Sequence, residues 1–241
     1  MITEIAKIDE VRKRRSDPEF KDIKRYVRDM KYILNAMNEK HKKILDIGAG
    51  AGVFSITLAH LGFDVTATNL ITEESQESRE IQFFRQFKCA FVPTNLDEQG
   101  LPFSNNVFDA IICLHVIEHL KKPFNLLAEI KRVLKPSGTL ILMTPNGTIT
   151  SIYKRLLHTR IHHDDDHVRE YTPKEIVYML TFSGLKVRNL QYSNEMVSAR
   201  LLGMTQGIKW LLVRGYCLLC NLLPAIGYEI HATAKLEHSD A

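Results

Sequence analysis

The chain has 241 residues, of which 45% are hydrophobic and 25% charged, a composition typical of globular proteins rather than disordered or fibrous ones. The net charge of +4 is small. The basic residues of positions 1–43 alternate with acids at helical spacing, so we interpret them as a solvated helix face and predict no nucleic-acid partner. The N-terminus lacks the apolar core of a secretory signal, and no long uncharged run predicts a membrane span. These features favour a cytoplasmic protein.

The first half of the chain alternates helix and strand signals. Ser16 as an N-cap and Pro18 in the first turn predict one or two helices ahead of the core. The segment KILDIG predicts a short buried strand, and the helix VFSITLAHLG that follows the glycines ends at Gly62. DVTATNL, rich in β-branched residues, predicts a second strand. Thr72 is expected to cap a polar helix through about Phe87, and CAFVPTNL predicts a third strand.

The second half continues the alternation. A continuous apolar strand is predicted from Asp109 to about Leu114. KPFNLLAEIKRVLKPSG predicts a helix that Pro136 and Gly138 end, before the strand GTLILMTPN. In YTPKEIVYMLTFSG, Thr172 is the expected N-cap of a further helix with a capping box. LKVRNLQY and GYEIHATAKL predict two closing strands.

This order predicts βαβ units and therefore an α/β fold with a doubly wound, mostly parallel sheet. We divide a single domain into an N-terminal helical cap (1–43), a core (44–192), a helical lid or insert (193–225), and a closing strand with a tail (226–241). Ligands of such sheets bind beyond the carboxyl ends of the strands. The candidate site residues therefore directly follow the strands.

The glycine-rich turn after the first strand discriminates between nucleotide ligands. A dinucleotide fingerprint requires Gly or Ala at the position that Val53 occupies, so an NAD-dependent oxidoreductase is disfavoured. The pattern present is D-x-G-x-G-x-G, with Asp46 ahead of the three glycines. An acid there would repel a pyrophosphate but suits a ligand with an ammonium group. S-adenosylmethionine is such a ligand.

Four segments, in order and at normal spacing, carry a family resemblance. They are ILDIGAGAG, NLDEQGLPFSNNVFDAIICLHVIEHL, LLAEIKRVLKPSGTLILMTPN and HVREYTPKEIVYMLTFSGLKV. Over roughly residues 44–187 the chain resembles the class I S-adenosylmethionine-dependent methyltransferases of the small-molecule and lipid branch, which includes ubiquinone-biosynthesis O-methyltransferases. The resemblance implies a seven-stranded, Rossmann-like sheet whose last strand is antiparallel.

The resemblance also implies a set of cofactor-binding positions. In such enzymes the glycines line the methionine and ribose groups, Asp46 would hold the amino group, and Asp97 would accept from the adenine amine with Leu96 against the ring. The strand-four position, His115, lies beside the transferring methyl. The full implied set is Asp46, Gly48, Gly50, Gly52, Asn69, Leu70, Leu96, Asp97, Leu114 and His115.

One position departs from the family pattern. The end of the second strand usually carries an acid that takes both ribose hydroxyls, and Asn69 stands there instead. Losing a charge-assisted pair costs about 1–2 kcal/mol of binding. This substitution keeps open the alternative of a cofactor-binding but catalytically inactive scaffold or regulatory protein.

The segment HVIEH (115–119) matches the H-x-x-E-H pattern of some zinc proteases. Because His115 directly follows a buried strand, we expect the motif to straddle a strand end and a helix start, and we predict no metal site.

A hydroxyl acceptor would need a general base, for which His115 and His167 are the candidates. His167 belongs to a polar run that also contains His162, His163, Asp164, Asp165, Asp166, Arg169 and Tyr171. A divalent ion held by the acids and histidines of that run is the alternative.

The apolar stretch GIKWLLVRGYCLLCNLLP leaves three hypotheses open: a lid over the acceptor pocket, a dimer face, or an interfacial helix near a lipid substrate. We therefore expect methyl transfer to a small-molecule or lipid-like acceptor, at oxygen, by a monomer or homodimer. Peripheral membrane contact is a further hypothesis.

Overall fold

A computed structural model of the chain describes residues 23–71, 74–151, 167–193 and 227–237. Several predicted features lie outside the described residues: the N-cap Ser16, the cap Thr72, the polar residues 162–166, and residues 194–225 of the insert predicted at 193–225. Within the described ranges, no helix has both the length and the apolar character needed to cross a bilayer. The helices are α1 Ile23–Ala36, α2 Val53–His60, α3 Glu74–Gln86, α4 Pro123–Val133 and α5 Pro173–Phe182.

The strands form one seven-stranded sheet in the order β3-β2-β1-β4-β5-β7-β6. Strands β1 to β5 run parallel, and β7 pairs antiparallel with both β5 and β6. This confirms the α/β fold and the antiparallel closing strand. The strands are β1 Lys43–Ile47, β2 Asp64–Asn69, β3 Ala90–Pro93, β4 Phe108–Leu114, β5 Leu134–Pro145, β6 Leu185–Ser193 and β7 Glu229–Leu236.

Helices cover both faces of the sheet, so the central strands β1 and β4 are buried on two sides, whereas the edge strand β6 is partly exposed. Alternate side chains of each strand enter different cores. Leu45 belongs to a cluster with Leu127 and Ile130 of α4 and Ile176 of α5. Its neighbour Ile44 belongs to a second cluster built with residues of α1, α2 and α3.

Helix boundaries agree with the sequence signals where the signals are local. Thr172 accepts the backbone N–H of Glu175 while the Glu175 carboxylate accepts the N–H of Thr172, which confirms the capping box. Helix α4 ends at Val133, earlier than its proline and glycine suggested, and Leu134 is already extended. The proline ring sterically disfavours helical backbone at the residue before it, so Lys135, which precedes Pro136, is a poor position for a continued helix.

The glycine turn between β1 and α2 depends on left-handed backbone. Gly52 has φ of 82° and precedes the first residue of α2. A Cβ on Gly52 would lie 2.6 Å from Cε1 of Phe84, a fully buried ring. Gly50 has φ of 53° but open space where a Cβ would lie. A side chain at Gly50 would therefore cost backbone strain alone, whereas one at Gly52 would cost both backbone strain and a collision with Phe84.

We expect Gly52→Ala to lower the free energy of unfolding by about 2–4 kcal/mol, since left-handed strain and overpacking add. Gly50→Ala should lower it by about 1 kcal/mol, from strain alone. Urea unfolding of both variants, followed by circular dichroism, measures the difference. Equal losses would contradict the contact with Phe84 as the cause.

Candidate functional site

A cleft of about 280 Å³ opens at the carboxyl edge of the sheet, where β1 and β4 lie side by side. It is formed by the segments that follow the first four strands. In such sheets this edge is where ligands bind, because the chain crosses to opposite faces there and leaves a crevice. The lining residues are Gly48, Thr68, Asn69, Leu70, Thr94, Asn95, Leu96, Asp97, His115, Val116, His119 and Leu120.

Six of the ten predicted cofactor positions line this cleft: Gly48, Asn69, Leu70, Leu96, Asp97 and His115. Leu96 and Asp97 also line an adjoining cleft of about 330 Å³, which extends toward α4. Leu96 and Asp97 therefore form a wall that the two clefts share.

Asn69 is held by the glycine turn. Its Nδ2 donates to the carbonyl oxygen of Gly50 at 3.0 Å, and its Oδ1 accepts the N–H of Gly50 at 3.3 Å. The amide therefore forms two complementary hydrogen bonds with the backbone N–H and C=O of one residue, Gly50, which an aspartate could not do because it has no donor. The departure from the family pattern thus has a structural role: it ties the end of β2 to the turn after β1.

Asp97 organises the loop on the other side of the cleft. Its Oδ1 accepts the backbone N–H groups of Lys121 and Lys122, at 2.9 and 3.1 Å. These bonds join the loop after β3 to the segment that begins α4. The wall that both clefts share is therefore fixed before any ligand arrives.

Asp46 lies beneath the glycine turn rather than along the cleft. Its side chain is 3% exposed, and its Oδ2 accepts the hydroxyl of Ser55 on α2 at 2.5 Å. Burial raises the pKa of Asp46 to about 7, and the hydrogen bond from Ser55 opposes that rise only in part. Leu114, another predicted contact, packs against the core on the same face. Contact between Asp46 and a ligand stays a prediction.

His115 directly follows β4 and has a left-handed backbone, with φ of 53°. Its N–H donates to the carbonyl of Met143 on β5 at 2.9 Å, which keeps it attached to the sheet. A histidine in this conformation is uncommon, and such residues concentrate at functional sites. The conformation turns the chain sharply, so that Ile117–His119 form a separate 3₁₀ turn. As predicted, the HVIEH motif straddles a strand end and a helix start.

Three charged side chains face the ring of His115. Its Nδ1 lies 3.3 Å from Oε1 of Glu118, and its Nε2 lies 2.8 Å from Nη2 of Arg25 and 3.5 Å from Oε1 of Glu229. Burial by itself would lower the pKa of His115, but the hydrogen bond and charge of Glu118 and the charge of Glu229 outweigh burial and Arg25. The net result is a raised pKa.

Glu118 is fully buried and connects several elements. Its Oε2 accepts the hydroxyl of Thr144 on β5 at 3.0 Å. Its backbone carbonyl accepts the N–H groups of Val168 and Arg169. Burial raises the pKa of Glu118, but the hydrogen bond and charge of His115 outweigh it and leave the pKa below its ordinary value. Glu118 is therefore placed as the carboxylate partner of His115.

His167, the second candidate base, is not among the residues that line the cleft, whereas its neighbour His119 is. The rings of His119 and His167 meet edge to face with centroids 4.6 Å apart, and Nδ1 of His167 lies 3.5 Å from Glu170. Two other members of its polar run are described: Arg169 pairs with Glu175, and Tyr171 is buried in the core. Of the two candidates, only His115 is a cleft-lining residue.

The prediction that the basic residues near the N-terminus lie on a solvated helix face is wrong for two arginines of α1. Arg25 and Arg28 were expected on a solvated helix face, but their side chains are 17% and 21% exposed and contact Glu229 at 3.0 and 2.6 Å. Burial raises the pKa of Glu229, but Arg25 and its other partners outweigh burial and hold the pKa well below its ordinary value. The sequence offered one signal for this arrangement. Glu229 begins the apolar strand β7, and a buried acid requires a cation nearby.

The sequence comparisons place the chain among known proteins. A family model described as "Methyltransferase domain" matches residues 19–190. Among curated relatives, a protein of Rickettsia canadensis named "Ubiquinone biosynthesis O-methyltransferase" is 27% identical over 157 residues, 62% of this chain. The match covers 64% of the length of that relative.

Solved structures share the fold. A protein of Archaeoglobus fulgidus described as a SAM-dependent methyltransferase superposes with a TM-score of 0.58 and 19% identity, over 87% of this chain and 91% of that chain. The 1,6-didemethyltoxoflavin-N1-methyltransferase of Burkholderia thailandensis was solved with S-adenosylhomocysteine. It superposes with a TM-score of 0.58 and 16% identity, over 98% of this chain and 87% of that chain.

The family match covers more than half of the chain, and it agrees with the sheet order and with the cleft that follows the first four strands. The chain therefore belongs to the class I S-adenosylmethionine-dependent methyltransferases.

Proposed function

We propose that this chain transfers a methyl group to an oxygen of a small-molecule acceptor, with His115 as the general base. The observation that carries the proposal is the position of His115. It lines the cleft at the carboxyl end of β4 and is backed by the buried Glu118. A carboxylate behind an imidazole fixes the ring orientation and stabilises the imidazolium that forms when the ring takes a proton.

The cleft residues fit the cofactor of the family. Asp97 and Asn69 offer oxygen acceptors for amino and hydroxyl groups, and Gly48 leaves the floor of the cleft without a side chain, where a Cβ would collide with Val116. S-adenosylmethionine supplies a methyl group that its sulfonium already activates for displacement. The protein must then align the acceptor and exclude water.

The chemistry of His115 is the removal of one proton. Nε2 accepts the proton of the acceptor hydroxyl as that oxygen gains the methyl group. The imidazolium that results faces the carboxylates of Glu118 and Glu229, which balance its charge. The proton then passes to solvent, and the base is restored. His167 does not fit this role as well, because it contacts the ring of His119 but is not among the residues that line the cleft.

The acceptor remains defined by class. Relatives named as ubiquinone-biosynthesis O-methyltransferases support oxygen as the methylated atom. A lipid-like acceptor, with peripheral membrane contact, is supported by the apolar sequence of the insert alone. If vesicles of anionic lipid do not bind the protein at low salt, the acceptor belongs with water-soluble small molecules.

A second candidate function is a scaffold or regulatory protein without turnover. The paired hydrogen bonds between Asn69 and Gly50 favour it, since the amide is already engaged where relatives of this family carry a ribose-binding acid. Calorimetric titration with S-adenosylmethionine, S-adenosylhomocysteine and NAD tests the cofactor that both candidates would bind, and a methyl-transfer assay separates the two candidates. We expect the first two to bind and NAD to fail. Binding followed by no methyl transfer to any acceptor would favour the scaffold.

We expect Asn69→Asp to tighten S-adenosylmethionine binding by about 5- to 30-fold, the equivalent of a charge-assisted hydrogen-bond pair. The carboxylate cannot donate to Gly50, so it is released toward the cleft. Calorimetry measures the change. Asn95→Asp is the matched control, because it adds the same charge to the cleft wall away from the end of β2. An equal gain in both variants would indicate a general charge effect.

We expect His115→Gln to lower the methyl-transfer rate by about a hundredfold or more, with cofactor affinity nearly unchanged. His167→Gln should lower it by less than about tenfold. The assay uses a ¹³C-methyl donor with a panel of hydroxylated small molecules and lipids, and NMR of the product distinguishes methyl on oxygen, nitrogen or carbon. A larger loss in the His167 variant would transfer the role of base to His167.

The rate should also depend on pH in a defined direction. A general base works only when it is unprotonated, and the pKa of His115 lies above its ordinary value. The wild-type rate should therefore rise with pH and reach half of its maximum above about pH 6.5. A half-maximum clearly below that pH would exclude His115 as the base.

A further inference from the structure

We propose that Arg25 is a positioning residue for His115: its guanidinium opposes protonation of Nε2 and directs the neutral ring to carry its proton on Nδ1, which leaves the lone pair of Nε2 available until the acceptor hydroxyl replaces the guanidinium. The catalytic consequence rests on the proposed function, whereas the state of the ring does not.

The two ring nitrogens of His115 have partners of opposite character. The ionised carboxylate of Glu118, beside Nδ1, can only accept a hydrogen bond. The guanidinium of Arg25, 2.8 Å from Nε2, can only donate one. A proton on Nδ1 and a lone pair on Nε2 satisfy both partners, whereas the opposite tautomer satisfies neither. The side chains on either side therefore specify the tautomer that a base acting through Nε2 requires.

The charges explain why an arginine is needed there. Glu118 from the 3₁₀ turn and Glu229 from β7 lie on opposite sides of the ring, 3.3 and 3.5 Å from its nitrogens. Two carboxylates without a cation would hold the histidine as imidazolium, which cannot accept a proton. Nη2 of Arg25 lies 3.0 Å from Oε1 of Glu229 as well as 2.8 Å from Nε2. It therefore neutralises the carboxylate that faces Nε2 and repels a proton from that nitrogen.

Arg28 provides a matched comparison within the same helix. Arg25 and Arg28 both belong to α1, have similar exposure and contact Glu229. Arg28 binds Oε2 of Glu229 and the carboxylate of Asp29, on the side away from His115. Loss of either arginine removes one ion pair between α1 and β7. Loss of Arg25 alone also removes the contact with the ring.

The same geometry describes how the acceptor enters. A hydroxyl group is a donor like the guanidinium, so it can take the place of Nη2 at Nε2 while Arg25 keeps its contact with Glu229. The hydroxyl proton then passes to Nε2, and the oxygen forms its bond to the methyl carbon as the carbon–sulfur bond breaks. Arg25 itself neither gains nor loses a proton, so its role is electrostatic.

Imidazole NMR of the ¹⁵N-labelled protein tests the inference without donor or acceptor. The chain has 10 histidines, and loss of one signal set in His115→Gln assigns the ring. In the wild type we expect the Nδ1–H tautomer, which needs no variant to observe. In Arg25→Gln the pKa of His115 should rise by about one unit or more. Arg28→Gln should shift it by less than half as much, and Arg25→Lys, which keeps the charge, should lie between wild type and Arg25→Gln.

An Nε2–H tautomer in the wild type overturns the inference, as does an unchanged or lowered pKa in Arg25→Gln or an equal shift in both glutamine variants. If Arg25→Gln does not fold, the wild-type tautomer and the Arg25→Lys shift decide instead. In an active preparation, the acidic limb of the rate profile should move upward by the same amount in Arg25→Gln. If the ring behaves as expected while His115→Gln keeps full activity, the proposed base fails but the positioning of the ring stands.

Discussion

The buried carboxylate of Glu229 is the constraint on which the arrangement around the cleft depends. It lies at the start of β7, beside the last residue of β5, and is 1% exposed. An ionised carboxylate in a protein interior is costly unless cations and hydrogen bonds surround it. Arg25, Arg28 and the hydroxyl of Ser193 supply these partners. Helix α1 is thereby fixed to a strand about 200 positions away in the sequence.

This ion cluster also determines the electrostatic surroundings of His115 in the cleft. Because Arg25 reaches both Glu229 and His115, the helix that covers one face of the sheet is coupled to the candidate base. Glu118 extends the same polar network to Thr144 on β5. The cleft therefore places the charged partners of His115 next to the apolar side chains of Val116 and Leu120, which line the same cleft.

At the glycine turn and the loop after β3, by contrast, the walls of the cleft are fixed by hydrogen bonds between side chains and the backbone. Asn69 holds the glycine turn through both atoms of its amide, and Asp97 holds the backbone ahead of α4. These bonds reduce the motion that a ligand would otherwise have to arrest, so the cleft loses less conformational entropy on binding.

The amino-acid sequence by itself determined the strand order along the chain, the glycine turn, the capping box at Thr172 and the positions that follow each strand, because these depend on periodicity and on neighbours within a few residues. It predicted the sharp change of structure at His115 for the same reason. Only the tertiary structure decided that Arg25 and Arg28 are buried rather than solvated, and that Glu229, Glu118 and His115 share one cluster. Helical spacing alone cannot show whether a charged face meets water or a buried ion of opposite sign, since that depends on strands paired from distant parts of the chain.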